Sequence, residues 1–241
     1  MKASRLIFAG ILLSSGAFAV EFQYSLKSFV WEEFGDSGNK LLKESGFLHE
    51  IGATHKFEIP VLYLKPYIGV EIGSVKYDGA TWAGTPVESD TNYWGVRTKI
   101  AIGKELGIFY GETGTGYDYW KRNIETVDTA IGYTETWSQW YIPVRAGIKT
   151  DMEDVELWCF GEYRFNLETK NQPSIGGITI KPKSGLFFSV GGGVRVSRIT
   201  AEVVYSYDKW KKSDPACSLS GCYLQPESKR QVLQFTLGYL F

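Results

Sequence analysis

Apolar and polar side chains alternate along most of this chain. The last stretch shows it most plainly. Leu233, Phe235, Leu237, Tyr239 and Phe241 occupy every second position, while Val232, Gln234, Thr236 and Gly238 between them are small or polar. A β-strand sends successive side chains to opposite faces, so the five form one apolar row. The same period predicts ten strands: 20–31, 45–57, 62–76, 92–103, 106–120, 136–149, 155–168, 185–197, 199–210 and 231–241. In the fifth, Glu112 falls on the apolar parity, which predicts a bulge near Gly111, Gly114 or Gly116.

The connections alternate too. Short turns are expected at 58–61, 104–105, 151–154 and 197–198, and long polar loops at 32–44, 77–91, 121–135, 169–184 and 211–229. Short turns at one end and long loops at the other are the arrangement of an up-and-down antiparallel barrel. An even strand count also brings both termini to the same end.

A soluble sandwich alternates in the same way. The polar row discriminates, because in a narrow barrel it faces a confined lumen and its charges need partners. That row carries Lys27, Lys56, Lys65, Arg97, Lys99, Arg145, Lys149, Arg164 and Arg195 against Glu21, Glu50, Glu71, Glu156, Glu162, Glu202 and Asp208. The near balance predicts a cross-lumen ion network, centred on Glu21, Lys27, Glu50, Lys65, Glu71, Arg97, Lys99, Arg145, Glu162, Arg164, Arg195 and Glu202. Gly69, Gly73, Gly95, Gly107, Gly191 and Gly193 share the row and leave room for long side chains. The expected fold is an all-β, transmembrane antiparallel up-and-down β-barrel of about ten strands, with eight as the alternative. Trp31, Trp94, Trp120, Trp137, Trp140 and Trp210 sit at strand ends beside long loops, which places them at membrane–water interface height.

The start of the chain changes the picture of where this barrel resides. Lys2 and Arg5 precede an apolar run, Leu6 to Leu13, and Ala17-Phe18-Ala19 fits a small-residue cleavage site. These are the three regions of a secretory signal peptide, so residues 1–19 are read as a signal and 20–241 as one barrel domain. Losing Lys2 and Arg5 moves the formal charge from −1 to −3, leaving no basic footprint for nucleic acid.

With its signal region, its hairpin rhythm and its Gly238-Tyr239-Leu240-Phe241 ending, the chain resembles small single-domain bacterial outer-membrane β-barrels of the porin or OmpA/OmpX-like kind. The resemblance covers the whole chain after residue 19. It implies export, contact with outer-membrane lipid and lipopolysaccharide, and insertion by the barrel-assembly machinery, for which Gly238, Tyr239 and Phe241 supply the terminal signal. It implies bacterial outer-membrane residence with both termini periplasmic and the long loops extracellular, most simply as a monomer. No particular activity follows from it.

Candidate chemistry is sparse. His49 and His55 lie six residues apart on one strand, about 20 Å at strand rise, too far to share a metal. If the first hairpin is symmetric, Ser28 faces His49, the beginnings of a lipid-A deacylase site. No orienting carboxylate adjoins it, and the His-x-Ser element associated with that family is missing, as is the Asp-x-His element of omptin-like proteases. The expectation is therefore no enzyme, no cofactor and no metal. Cys217 and Cys222 share one loop, and an oxidising compartment predicts a disulfide, whereas Cys159 falls on the outward row as an unpaired apolar residue. Lys209-Trp210-Lys211-Lys212 reads as a basic, aromatic contact for lipopolysaccharide phosphates. Ten strands enclose little beyond packed side chains. The expected function is thus a non-enzymatic barrel with a narrow or closed lumen and surface loops, with a narrow solute channel and an outer-leaflet lipid enzyme as alternatives.

Overall fold

In a computed structural model, residues 19–80, 84–127, 130–219 and 221–241 are described. All regular structure among them is β. The strands in chain order are β1 (Val20–Phe34), β2 (Lys40–His55), β3 (Phe57–Ile59), β4 (Leu62–Ala80), β5 (Pro86–Leu106), β6 (Phe109–Ile124) and β7 (Thr134–Met152). After them come β8 (Val155–Pro173), β9 (Lys183–Val196), β10 (Ile199–Lys211), β11 (Ala216–Ser218), β12 (Gly221–Tyr223) and β13 (Glu227–Leu240). β3 continues β2 along β4 past a break at Lys56, and β11 with β12 forms a separate loop hairpin.

The ten long strands pair antiparallel in chain order, and β1 pairs with β13, so the sheet closes on itself. The seam runs in register from Glu21 opposite Leu240 to Phe34 opposite Glu227. Phe241 donates its backbone N–H to Val20 at 3.0 Å, and its ring meets Phe22 edge-on at 5.5 Å. Closure removes the unpaired strand edges that an open sheet would expose.

The ten long strands run from 13 to 21 residues. That is longer than the alternation suggested, and the loops are correspondingly shorter. The first loop, expected at 32–44, spans only 35–39. Three of the two-residue turns have positive φ at their first position: Gly107 (63°), Glu153 (50°) and Ser197 (53°). That conformation matches the twist of the flanking strands, and glycine adopts it without strain. The second turn therefore lies at Gly107-Ile108, not at 104–105, and Gly107 leaves the inward row to make it. The expected bulge in β6 is absent, because one register holds along the β5–β6 pair. Glu112 faces inward instead, and the outward row of β6 is Thr113, Thr115, Tyr117 and Tyr119. Register shifts occur elsewhere: in β1–β2 beside Phe34, in β9–β10 beside Asp208, and in β7–β8 beside Trp140, where Glu168 and Asn166 bracket an extra residue.

The barrel is apolar outside. Ile51, Ile68, Ile72, Phe165 and Leu237 are each more than half exposed on the outer wall. The inside holds both the charges and the packed aromatic core. Residues 1–18 of the expected signal peptide lie outside the described residues.

Candidate functional site

Side chains divide the lumen of the barrel into three levels. At the loop end an aromatic cluster fills it. Trp31, Trp137, Trp210 and Phe187 are fully buried, Trp120, Phe29 and Tyr93 nearly so. The indoles pack against each other, Trp120 stacked on Trp137 at 5.4 Å and Trp31 edge-on to Trp137 at 5.2 Å. Four of the six tryptophans expected at interface height thus point into the lumen, and only Trp94 and Trp140 face outward. The cause is strand parity: Trp31 shares its row with Lys27, Trp137 with Arg145 and Trp210 with Asp208, while Trp120 shares its row with Glu112.

Arg122 sits in this cluster with no exposed surface. Its guanidinium meets Glu135 at 2.6 Å, Glu44 at 2.8 Å and Glu33 at 3.2 Å. The carboxylates are held in turn. Trp31 and Trp137 donate their indole N–H groups to Glu33 and Glu135 at 2.9 and 2.8 Å, while Thr91 and Tyr93 donate to Glu44. Buried charge is tolerated only with such pairing, and of the guanidinium nitrogens Nε is left without a hydrogen-bond partner. Two loops cover the mouth above. Gln225 donates to Glu33 at 3.0 Å and accepts from Asn171 at 2.8 Å, and the connection between β8 and β9 buries its own Ile178 and Ile180.

The middle level holds two ion groups. Asp208 receives both Arg230, at 2.6 Å, and Arg164. Lys27 bridges Glu50, at 2.7 Å, and Glu71, while Arg97 lies 3.6 Å from Asp118. Nearer the turn end, Glu162 receives Arg145 at 2.8 Å and Lys99 at 3.4 Å. Arg195 binds Glu21 at 2.7 Å. Ten of the twelve network residues read from the sequence therefore sit in ion pairs, and Lys65 and Glu202 do not. Sequence reasoning missed Glu33, Glu44, Arg122 and Glu135, which lie in segments read as loops, along with Glu112, Asp118 and Arg230. Five acids and two bases are added, which offsets the basic excess of the expected row.

At the turn end the lumen opens into a cup of about 250 Å³. Tyr63, Lys65, Tyr110, Trp158 and Glu202 are among its walls. Lys56 closes one side through Glu58 at 2.6 Å and Glu105 at 2.8 Å. Partial burial acts against its ammonium, but these hydrogen bonds outweigh it and raise the Lys56 pKa above the ordinary lysine value.

The remaining candidates are separate. Ser28 faces Phe47 across the hairpin, and His49 faces Leu26, so the symmetric Ser–His pairing is not formed. His49 shares a hydrogen bond of 2.7 Å with Tyr24 on the outer wall. His55 pairs with the Ala19 carbonyl oxygen at 2.6 Å. No grouping of metal-ligating side chains occurs among the described residues. Cys217 and Cys222 form a disulfide across the β11–β12 hairpin, and Cys159 is free and exposed on the outer wall. The Lys209–Lys212 cluster is not a single surface: Trp210 points inward, Lys209 pairs with Glu227 at 3.0 Å and Lys212 with Asp36 at 2.7 Å. Gly238 packs inward over Glu21, while Tyr239 and Phe241 lie together on the outer wall with rings 4.8 Å apart.

No protein-family model and no curated protein sequence matches the chain. Solved structures do. The outer membrane protease OmpT from Escherichia coli superposes with a TM-score of 0.55 at 13% identity, covering 92% of this chain and 97% of that one. An outer membrane channel from Pseudomonas putida F1 gives a TM-score of 0.46 at 10% identity over 93% and 95% of the two chains. Neisserial surface protein A gives 0.40 at 9% identity over 92% and 99%. At 13% identity the likeness to OmpT speaks to architecture and not to activity. With its closed ten-strand sheet, apolar exterior and charged interior, the chain has the fold of a small outer-membrane β-barrel.

Proposed function

We propose that this protein is a non-enzymatic outer-membrane barrel, closed across its loop end, that serves envelope structure or surface interaction through its loops. The loops face the cell exterior in this reading, and both termini face the periplasm. The observation that carries it is the seal itself. Arg122, Trp31, Trp137 and Trp210 are fully buried across the lumen and pack against one another. The clamped hairpin at Cys217 and Cys222 gives the last loop a defined shape to present, with Leu219 fully exposed at its tip. Outward lysines at the loop end, including Lys43, Lys76 and Lys121, suit contact with lipopolysaccharide phosphates. The barrel-assembly machinery is the partner expected during biogenesis, and the mature barrel is monomeric in this reading.

Single-channel recording of refolded protein in a planar bilayer tests the reading. A closed lumen gives no unitary current. Stepwise current from the wild-type protein would favour the narrow channel and overturn the seal. The lipid-enzyme alternative would need a nucleophile beside His49, and that neighbour is Tyr24, a hydrogen-bond partner without an orienting carboxylate.

A further inference from the structure

The turn-end cup contains two charged side chains that make no contact ion pair among the described residues, although Glu112 attracts Lys65 and Arg145 attracts Glu202 from farther off. Lys65 on β4 has no hydrogen bond and no carboxylate within ion-pair distance among the described residues. Glu202 on β10 has no cation within that distance, and only one of its oxygens is engaged, by the Trp158 indole N–H at 3.0 Å. The other charges around the cup are committed. Glu112 accepts from Tyr63 at 3.0 Å and faces Arg145 at 3.7 Å. Arg195 holds Glu21, and Lys149 holds Glu156 at 3.1 Å. β4 and β10 stand on nearly opposite walls of the barrel, separated by β2, β1 and β13 on the shorter way round. A cation and an anion without contact partners therefore line one confined space from different walls.

We propose that this cup binds a short zwitterion of amino-acid to tripeptide size, its carboxylate on Lys65 and its ammonium on Glu202. One ligand of this kind gives both side chains the contact partner that each lacks. A simple anion on Lys65 would leave Glu202 unpaired. A simple cation on Glu202 would leave Lys65 unpaired. A volume of about 250 Å³ is smaller than the roughly 300–1,000 Å³ typical of drug-sized ligands, which limits the guest to a few residues. The Trp158 hydrogen bond fixes the Glu202 carboxylate, so the ammonium site is oriented before the ligand arrives. The compartment that supplies the ligand, the periplasm, rests on the orientation proposed above; the binding does not.

Calorimetric titration of the refolded barrel in detergent micelles tests this with three peptides: triglycine, N-acetyl-triglycine and triglycine amide. Triglycine binds, and capping either end weakens binding at least tenfold. Lys65→Met removes the discrimination against the amide, and Glu202→Gln removes the discrimination against the acetylated peptide. Lys183→Met, far from the cup at the loop end, changes neither. Absence of triglycine binding, or equal binding of the capped peptides, overturns the proposal. The capping series on wild-type protein decides the matter even if a variant fails the heat-modifiable mobility check for folding. A conducting wild-type barrel would overturn the loop-end seal and leave this site standing, so the two failures are distinguishable.

Discussion

Replacing Arg122 with methionine strands three carboxylates in a space that water does not reach. Glu33, Glu44 and Glu135 all lie within 3.2 Å of the guanidinium, and their side chains are at most 9% exposed. Removing one partner from a buried ion pair typically costs about 3–5 kcal/mol, because the remaining charge keeps its desolvation penalty and loses its compensation. Here the remaining charges also repel one another, and protonation of one or two of them relieves part of that, so about 4 kcal/mol is expected. At an unfolding slope of roughly 2 kcal/mol per molar urea, the midpoint falls by about 2 M. Urea titration of the refolded barrel, read by the mobility difference between folded and unfolded forms, measures it. The compensating variant is R122M with E33Q, E44Q and E135Q. Glutamine keeps an acceptor for the Trp31, Trp137, Thr91 and Tyr93 donors while removing the charge. It should recover to within about 1 kcal/mol of wild type, since an apolar or neutral replacement of a buried ion cluster is often nearly neutral. If R122M unfolds at the wild-type midpoint, the cluster is not the stabilising element claimed. If the quadruple variant is as weak as R122M, the loss lies in the guanidinium packing over Trp31, at 5.0 Å, and the electrostatic account fails.

Trp31→Ala combined with Trp137→Ala removes two fully buried indoles from the seal; unitary current should appear in planar bilayers, and its absence would place the barrier elsewhere. Cys159 is free on the outer wall, so in vesicles it should react with a membrane-soluble maleimide and not with a charged thiol reagent; the reverse would deny that this wall meets acyl chains. Gly73→Val puts a side chain into the Phe47 carbonyl oxygen, 2.8 Å from a Cβ at that position, and into Leu48; folded yield on a heat-modifiability gel should collapse. Cys217→Ser with Cys222→Ser opens the loop hairpin; protease nicking of that loop should accelerate while the urea midpoint stays within about 0.5 kcal/mol of wild type, as for other surface changes.

The barrel was legible because its signal is redundant. Ten strands each alternate weakly, but closure requires that all of them put charge on one side and apolar surface on the other, and that agreement is hard to reach by chance. What the alternation cannot set is where a strand stops. Polar residues such as Glu33 and Arg122 read as loop because in most proteins a charged run near a turn is solvated, whereas here the strand continues and the charges turn inward to meet each other. Glu112 misled for the same reason in reverse. Apolar and polar residues trade rows in β6, since its outward face is threonine and tyrosine, and tyrosine with its apolar body and polar tip suits either side.

The tryptophans carry the sharpest lesson. Indoles near strand ends invite an interfacial reading, but height along a strand and side of the sheet are independent coordinates. The parity that assigned Lys27, Arg145 and Asp208 to the lumen assigns Trp31, Trp137 and Trp210 there as well. An inward tryptophan at the loop end cannot serve a lipid interface, and in a ten-strand lumen four of them cannot avoid touching. Carrying parity through to the strand ends thus predicts a seal rather than a girdle. The charged residues on those same rows follow: an indole N–H turned away from lipid needs an acceptor, and Glu33 and Glu135, two positions along the same strands from Trp31 and Trp137, supply it. Arg122 is then the cation those acceptors demand, which makes the aromatic seal and the ion cluster one structure, and the R122M series a test of both.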